Sequence, residues 1–280
     1  MIKVIDNPTE ESLSVPHKSI NAQSLWSKTK GEGVRIAVID TGLNRHIDFS
    51  ESIAKTINVF DRTTTEIPDI AGHGTFITGI ISSERYGISP MSKIYSTNVL
   101  NDKGLGTYTA ILDGITFAIN NKVDILCMSL GAIYPLPQMI DDRLRIAHSN
   151  GITIVCATGN SSNNKLAYPS NEDYIVSVGG SNENGKRASF SNYGRELDFV
   201  APSIDIVSTF GINQYGKMSG TSVSAPIIVG ACALVISYYR MNGIELSPSE
   251  VKNILIKASN DKKTRHIGWG TPDLSKIGEL

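Results

Sequence analysis

The chain lacks what several function classes require. It has no excess of positive charge: 26 Lys and Arg stand against 27 Asp and Glu. No basic stripe runs through it, so nothing marks a nucleic-acid surface. Cysteine is scarce, with only Cys127, Cys156 and Cys232, each among apolar neighbours. An odd count so placed predicts buried, reduced thiols in a cytosolic protein rather than a disulfide framework. No C-x-x-C or H-E-x-x-H spacing supports a zinc site. Long hydrophobic runs are also missing. The best, Ala225 to Ile236, is short for a bilayer and contains Pro226 and Gly230, so no membrane partner is expected. Near the amino terminus Asp6 and Pro8 interrupt the apolar residues, unlike a secretory signal.

What remains is an ordinary globular composition, 40% hydrophobic and 19% charged over 280 residues. From Val34 onward the chain alternates between two patterns. Val34 to Ile39, Ile94 to Leu100, Val123 to Leu130, Ile152 to Ala157, Ile175 to Gly179 and Leu197 to Ala201 are short β-branched or apolar runs that predict strands. Between or after them, Thr107 to Asn120, Asp141 to Ser149, Val223 to Arg240 and Pro248 to Ala258 carry helical periodicity. The third of these is apolar all round, which predicts a central helix. Strand–helix–strand spacing predicts an α/β fold, a central, mostly parallel sheet with helices on both faces. Ligands in such folds bind beyond the carboxyl ends of the strands. No linker or repeat divides the chain, so residues 14–280 are expected to form one domain. Residues 1–13 read as an amino-terminal extension, and a short helix is expected around Asn21 to Lys28.

Three segments carry chemistry. Asp40 follows the first strong strand, Gly72-His73-Gly74-Thr75 opens an apolar helix, and Gly220-Thr221-Ser222 opens the buried one. Each alone has a plain reading as a turn or a cap. Together they form a set. A serine hydroxyl is a weak nucleophile until a base takes its proton, histidine does this near neutral pH, and a carboxylate holds the imidazole in the required tautomer. A serine at a helix amino terminus also offers its own N–H to a developing oxyanion. The glycines beside His73 and before Ser222 are expected to leave room for a substrate backbone.

In the order Asp, His, Ser these motifs resemble the subtilisin-like serine proteases, the peptidase S8 type. The resemblance extends through Gly104-Leu105-Gly106-Thr107-Tyr108, Met128-Ser129-Leu130-Gly131, Ala157-Thr158-Gly159-Asn160, Tyr168-Pro169, Phe190-Ser191-Asn192-Tyr193-Gly194 and Glu196-Leu197-Asp198. It implies a three-layer subtilisin-like fold and an endopeptidase working through an acyl-enzyme. Asp40 would orient His73, His73 would be general base and then acid, Ser222 the nucleophile, and Asn160 the oxyanion-hole amide. It also implies an extended peptide substrate lying along Gly104, Leu105, Gly106 and Ser129, Leu130, Gly131. Tyr108, Ile111 and Leu130 would line an apolar pocket four residues before the cut. Ala157, Thr158, Gly159 and Ala167 would surround the residue at the cut, with no charge among them, so uncharged side chains are expected there.

Departures from the family pattern carry their own expectations. The calcium-binding loop after the His73 helix is missing: Ser82-Ser83-Glu84-Arg85-Tyr86-Gly87 runs almost directly into Ile88-Ser89-Pro90. Asp48, which matches a family calcium ligand, would lack partners, with Arg85 as its neutraliser. No cofactor is expected to be required, although the resemblance leaves room for a weak calcium site near Ser170, Glu196 and Asp198. Only a short stretch precedes the first strand, which implies an intracellular, cytoplasmic member, with residues 1–13 as a candidate inhibitory segment. Two biological roles compete: general intracellular proteolysis, and dedicated leader-peptide processing of the kind that matures lantibiotic precursors. A catalytically silent subtilase-fold binding protein is the alternative from another class.

Overall fold

A computed structural model describes residues 2–49, 52–59, 68–260 and 262–277. Seven parallel strands make the main sheet: β2 (Arg35–Asp40), β3 (Ile53–Asn58), β4 (Lys93–Asn98), β5 (Ile125–Met128), β6 (Thr153–Ala157), β7 (Val176–Ser181) and β8 (Phe199–Pro202), in the spatial order β3-β4-β2-β5-β6-β7-β8. Their side chains are buried on both faces through most of the sheet, which explains why the runs read as continuously apolar rather than alternating.

The two faces are covered differently. On one lie α3 (His73–Ser82), α6 (Thr221–Met241) and α7 (Pro248–Lys257), packed with Val38, Cys127, Val155 and Val178. On the other lie α4 (Tyr108–Asn120) and α5 (Gln138–Ser149), packed with Ala37, Leu126, Ile154 and Cys156. Alternate residues of one strand thus enter opposite cores. All three cysteines are free and buried. Burial pushes the Cys127 and Cys232 thiols up to about 12 and Cys156 well above its ordinary value, so they stay protonated and unreactive.

Helix α6 is 21 residues long and apolar enough to cross a bilayer, and it runs through Pro226 as the helical periodicity from Val223 to Arg240 predicts. Its side chains from Val223 to Ser237 are all buried inside the fold. It is a core helix, and the absence of a polar face is what central burial requires.

The structure adds a second, antiparallel sheet absent from the sequence reading, formed by β1 (Lys3–Ile5), β9 (Ile206–Phe210) and β10 (Gln214–Met218) in the order β1-β10-β9. Within the expected extension 1–13, the described residues 2–13 do not stand apart from the fold. Lys3 pairs with Lys217 and Ile5 with Tyr215, and α1 (Glu10–Ser19) begins within the segment and buries Leu13. Thr9 caps α1 by accepting the Ser12 N–H, and Glu10 and Glu11 sit favourably in its first turn. Pro16 sits inside this helix. The short helix expected near residue 21 is α2 (Gln23–Trp26).

Candidate active site

Asp40 is the last residue of β2, and it is fully buried. After β2 the chain builds β3 and β4 on one side of it and then crosses to β5 on the other, so the carboxyl end of β2 lies where the strand order reverses. Such a switch point opens a crevice beyond the sheet. His73 is the first residue of α3, and its Nδ1 lies 2.7 Å from Asp40 Oδ1. The same oxygen accepts the Thr41 N–H at 2.7 Å. A carboxylate oxygen only accepts, so Nδ1 carries the proton and Nε2 is left with its lone pair. Burial opposes charging of the ring, but the Asp40 carboxylate, through its charge and its hydrogen bond, outweighs it with help from Asp69. The His73 pKa is therefore raised above its ordinary 6.5.

Asp69 is a functional neighbour that the sequence reading passed over. It is buried and accepts from Gly72 N–H, Thr75 N–H, Thr75 Oγ1 and Thr41 Oγ1. These bonds tie the first turn of α3 to the residue after Asp40. An acid a few residues before an apolar helix is a capping signal, and that signal was available in the sequence.

The glycines around His73 serve packing rather than substrate access. Gly72 has φ +74°, and a Cβ there would lie 2.0 Å from the Phe210 ring. A Cβ on Gly74 would lie 2.1 Å from the Gly42 carbonyl oxygen. Their side-chain space is taken up by the fold, which brings α3 against β9 and against the turn after β2.

Ser222 is the second residue of α6. Pro226 has no N–H, so the Ser222 carbonyl lacks its usual partner four residues on. Ser129 supplies one, donating its hydroxyl to Ser222 O at 3.0 Å. The residue before the serine is held as well: Thr221 N–H donates to Asn160 Oδ1 at 2.8 Å, and Gly159 N–H donates to Thr221 Oγ1 at 3.2 Å. With Oδ1 engaged in this way, Nδ2 of Asn160 has no hydrogen-bond partner among the described residues and is available as a donor.

His73 and Ser222 border adjoining hollows. One, of about 640 Å³, is lined by His73, Gly104, Leu105, Gly106, Tyr108, Ile111 and Leu130. The other, of about 780 Å³, is lined by Ser222, Asn160, Ala157, Gly159 and Ala167. Ser129, Leu130 and Gly131 border both, joining them into one cleft. Among the described residues no hydrogen bond joins Ser222 Oγ to the imidazole, and such bonds commonly tighten only when substrate binds. Gly106, Leu130 and Gly131 make no backbone–backbone hydrogen bond among the described residues, which leaves open edges on both sides of the cleft.

Of the substrate residues expected from sequence, Thr158 alone borders neither hollow. It is fully buried, and its carbonyl accepts from Ala167 N–H and Asn192 Nδ2. Alternation along the chain at the end of β6 turns Ala157 and Gly159 to the cleft and Thr158 inward. The hollow beside Ser222 has small neutral walls at Gly131, Ala157, Gly159 and Ala167, but Lys165, Arg195, Glu196 and Arg265 also line it. The charge-free set expected from sequence is thus only part of its lining.

The sequence profile of the subtilase family matches residues 31–270. Subtilisin DY of Bacillus licheniformis is 36% identical over 239 residues, which cover 81% of this chain and 83% of that protein. The major intracellular serine protease of Bacillus subtilis (strain 168) is 35% identical over 257 residues, 86% of this chain and 80% of that one. The intracellular serine protease of Paenibacillus polymyxa is 35% identical over 230 residues, 77% and 70% of the respective chains.

Proposed function

The chain belongs to the subtilase family and is a serine endopeptidase, a hydrolase of peptide or protein substrates; from that premise we propose that Ser222, His73 and Asp40 are its catalytic triad and Asn160 its oxyanion donor. The observation that carries this is the 2.7 Å bond from His73 Nδ1 to buried Asp40, which leaves Nε2 basic beside the cleft that holds Ser222 and Asn160.

In the proposed mechanism, Nε2 takes the hydroxyl proton as Ser222 Oγ bonds to the scissile carbonyl carbon. Asp40 stays ionised and stabilises the imidazolium. The oxyanion accepts from the Ser222 N–H, at the positive end of α6, and from Asn160 Nδ2. The tetrahedral centre collapses, His73 gives its proton to the leaving amine, and the acyl group remains on Oγ. Water then repeats the sequence and regenerates the hydroxyl. The substrate lies extended between the open edges at Gly106 and at Leu130–Gly131, a form of strand addition. Tyr108, Ile111 and Leu130 take an apolar side chain upstream of the cut.

Labelling by a serine-directed fluorophosphonate tests this reading. The label is expected on the parent chain and absent from Ser222→Ala, whereas an unlabelled parent would point to a silent binding protein. Asn160→Ala is expected to lower kcat by about 10²–10³-fold with little change in KM, the size of effect found for the equivalent amide in subtilisin itself. Steady-state kinetics on a chromogenic peptide measures this directly.

Two relatives are named intracellular serine proteases, which favours a cytoplasmic enzyme of general proteolysis. Dedicated cleavage of a leader peptide, as in lantibiotic maturation, is the competing role, favoured by the shortened chain after α3. Digestion of casein beside a single-site precursor separates them, and a peptide-library profile tests the preference for uncharged residues at the cut. Two contacts support an inhibitory role for the amino terminus: Ile2 borders the hollow that contains His73, and β1 pairs with the strand leading to Ser222. The inhibitory segment thus reduces to the residues before α1, of which Met1 lies outside the described residues. Deleting residues 1–5 is expected to raise the initial rate severalfold; an unchanged or lower rate would mean that β1 only supports β10.

A further inference from the structure

Family resemblance implies calcium at two places, around Asp48 and near Ser170, Glu196 and Asp198. The donor sets there do not fit it. Calcium takes six to eight oxygens whose lone pairs converge on one point. Asp48 is buried, at 2% exposure, and among the described residues the side chains bonded to its carboxylate all donate a hydrogen. Arg85 Nε bonds Oδ1 at 2.9 Å, and the hydroxyls of Ser83 and Tyr215 bond Oδ2 at 3.1 and 2.9 Å. Arg85 Nη2 then closes the ring by donating to Tyr215 Oη. No lone pair of Ser83 or Tyr215 is turned towards a shared cation. The charge that a buried carboxylate requires is supplied by a guanidinium.

At the second place the oxygens do converge, but on a nitrogen. Lys252, on α7, brings its Nζ within 2.7 Å of Asp198 Oδ2. It also lies 3.1 Å from Ile175 O and 3.2 Å from Asp173 O. An ammonium has three N–H donors, and here all three are engaged by one carboxylate and two main-chain carbonyls. That is a hard oxygen set of the kind a cation binds, with the cation tethered to the chain. Lys263 Nζ adds a second positive charge 3.6 Å from Asp198 Oδ1. The other two residues named from sequence do not join the set: Ser170 Oγ donates to Ala167 O, and the exposed Glu196 borders the hollow beside Ser222.

We propose that the Arg85 guanidinium and the Lys252 ammonium stand where the resemblance places bound calcium, so that this fold is complete without a metal. The loop shortened after α3 and the lysine on α7 are two parts of one adaptation: each supplies from the chain a positive charge that would otherwise come from solution. Neither depends on the assignment of the triad.

Thermal unfolding of the whole chain, in a Ser222→Ala background to limit self-digestion, tests it. The parent midpoint is expected to be the same in excess chelator and in millimolar calcium. Lys252→Ala empties the oxygen set, so its midpoint should fall and then recover by roughly 5 °C once calcium exceeds its dissociation constant about 100-fold. Arg85→Leu should lower the midpoint whether or not calcium is present, and adding Asp48→Asn should restore most of the loss by removing the stranded charge. A parent midpoint that rises by several degrees with calcium overturns the proposal. So does a Lys252→Ala midpoint that calcium leaves unchanged, or an Arg85→Leu chain as stable as its parent. The parent measurement decides even if the variants do not fold.

Discussion

Ser222→Ala is expected to lower kcat by about 10⁶-fold while the chain stays folded and still binds peptide, a loss of the size known for the nucleophile of subtilisin, a relative of this chain. The stability cost should be small. Ser222 is half-buried at the second position of α6, and its backbone contacts do not depend on the hydroxyl: the carbonyl still accepts from Ser129, and Thr221 still donates to Asn160. Alanine also suits a helix better than serine. Chemistry and folding therefore separate. The catalytic loss should appear in kcat with KM nearly unchanged, because the open backbone edges and the apolar hollow remain. Some rate above the uncatalysed reaction, about 10³-fold, should persist from the oxyanion donors and from binding. Measured activity within tenfold of the parent, on protein free of contaminating protease, would refute the assignment of the nucleophile.

Asp40→Asn is the second large effect, about 10⁴-fold in kcat, and its pH dependence identifies the cause. The asparagine fits the same space, but its amide can donate to Nδ1 and so favours the tautomer with the proton on Nε2, where the base is required. Asp40 also holds the His73 pKa above 6.5 against the opposing effect of burial. His73 acts as a base only when neutral, so parent kcat/KM should rise with pH through that raised value and fall away below it. Without the carboxylate, burial is left largely unopposed, and the acid limb of the variant should move to lower pH. A merely structural role for Asp40 would reduce activity without moving the limb. A pH profile from acid to alkaline conditions, with folding checked at each point, distinguishes the two.

Much of the site could be read locally. Asp40 after a β-branched run, His73 between glycines and Ser222 at the start of an apolar helix are each visible within a few residues, and so were most of the parallel strands and their helices. Periodicity and β-branching report on such windows because they record how a short segment is buried. They did not report β1, β9 and β10, which are short, and of which β1 and β10 are only partly buried. They did not report α1 either, because its sequence is mostly polar and only Leu13, Ser14, Pro16 and His17 are buried.

The sequence by itself determined which side chains are available: one set of acid, imidazole, hydroxyl and amide at strand and helix ends, in an order that marks the family, and an Arg85 close in the chain to a shortened loop. Only the tertiary structure decided which of them meet. The β2 switch point brings Asp40 to His73 across 33 residues. Ser129 reaches the carbonyl that Pro226 leaves without a partner, Phe210 occupies the space beside Gly72, and Lys252 arrives among the oxygens of Asp173, Ile175 and Asp198. The physical reason is that local conformation follows from neighbouring residues, whereas convergence follows from strand order and from helices packing across the sheet, contacts between residues far apart in the chain.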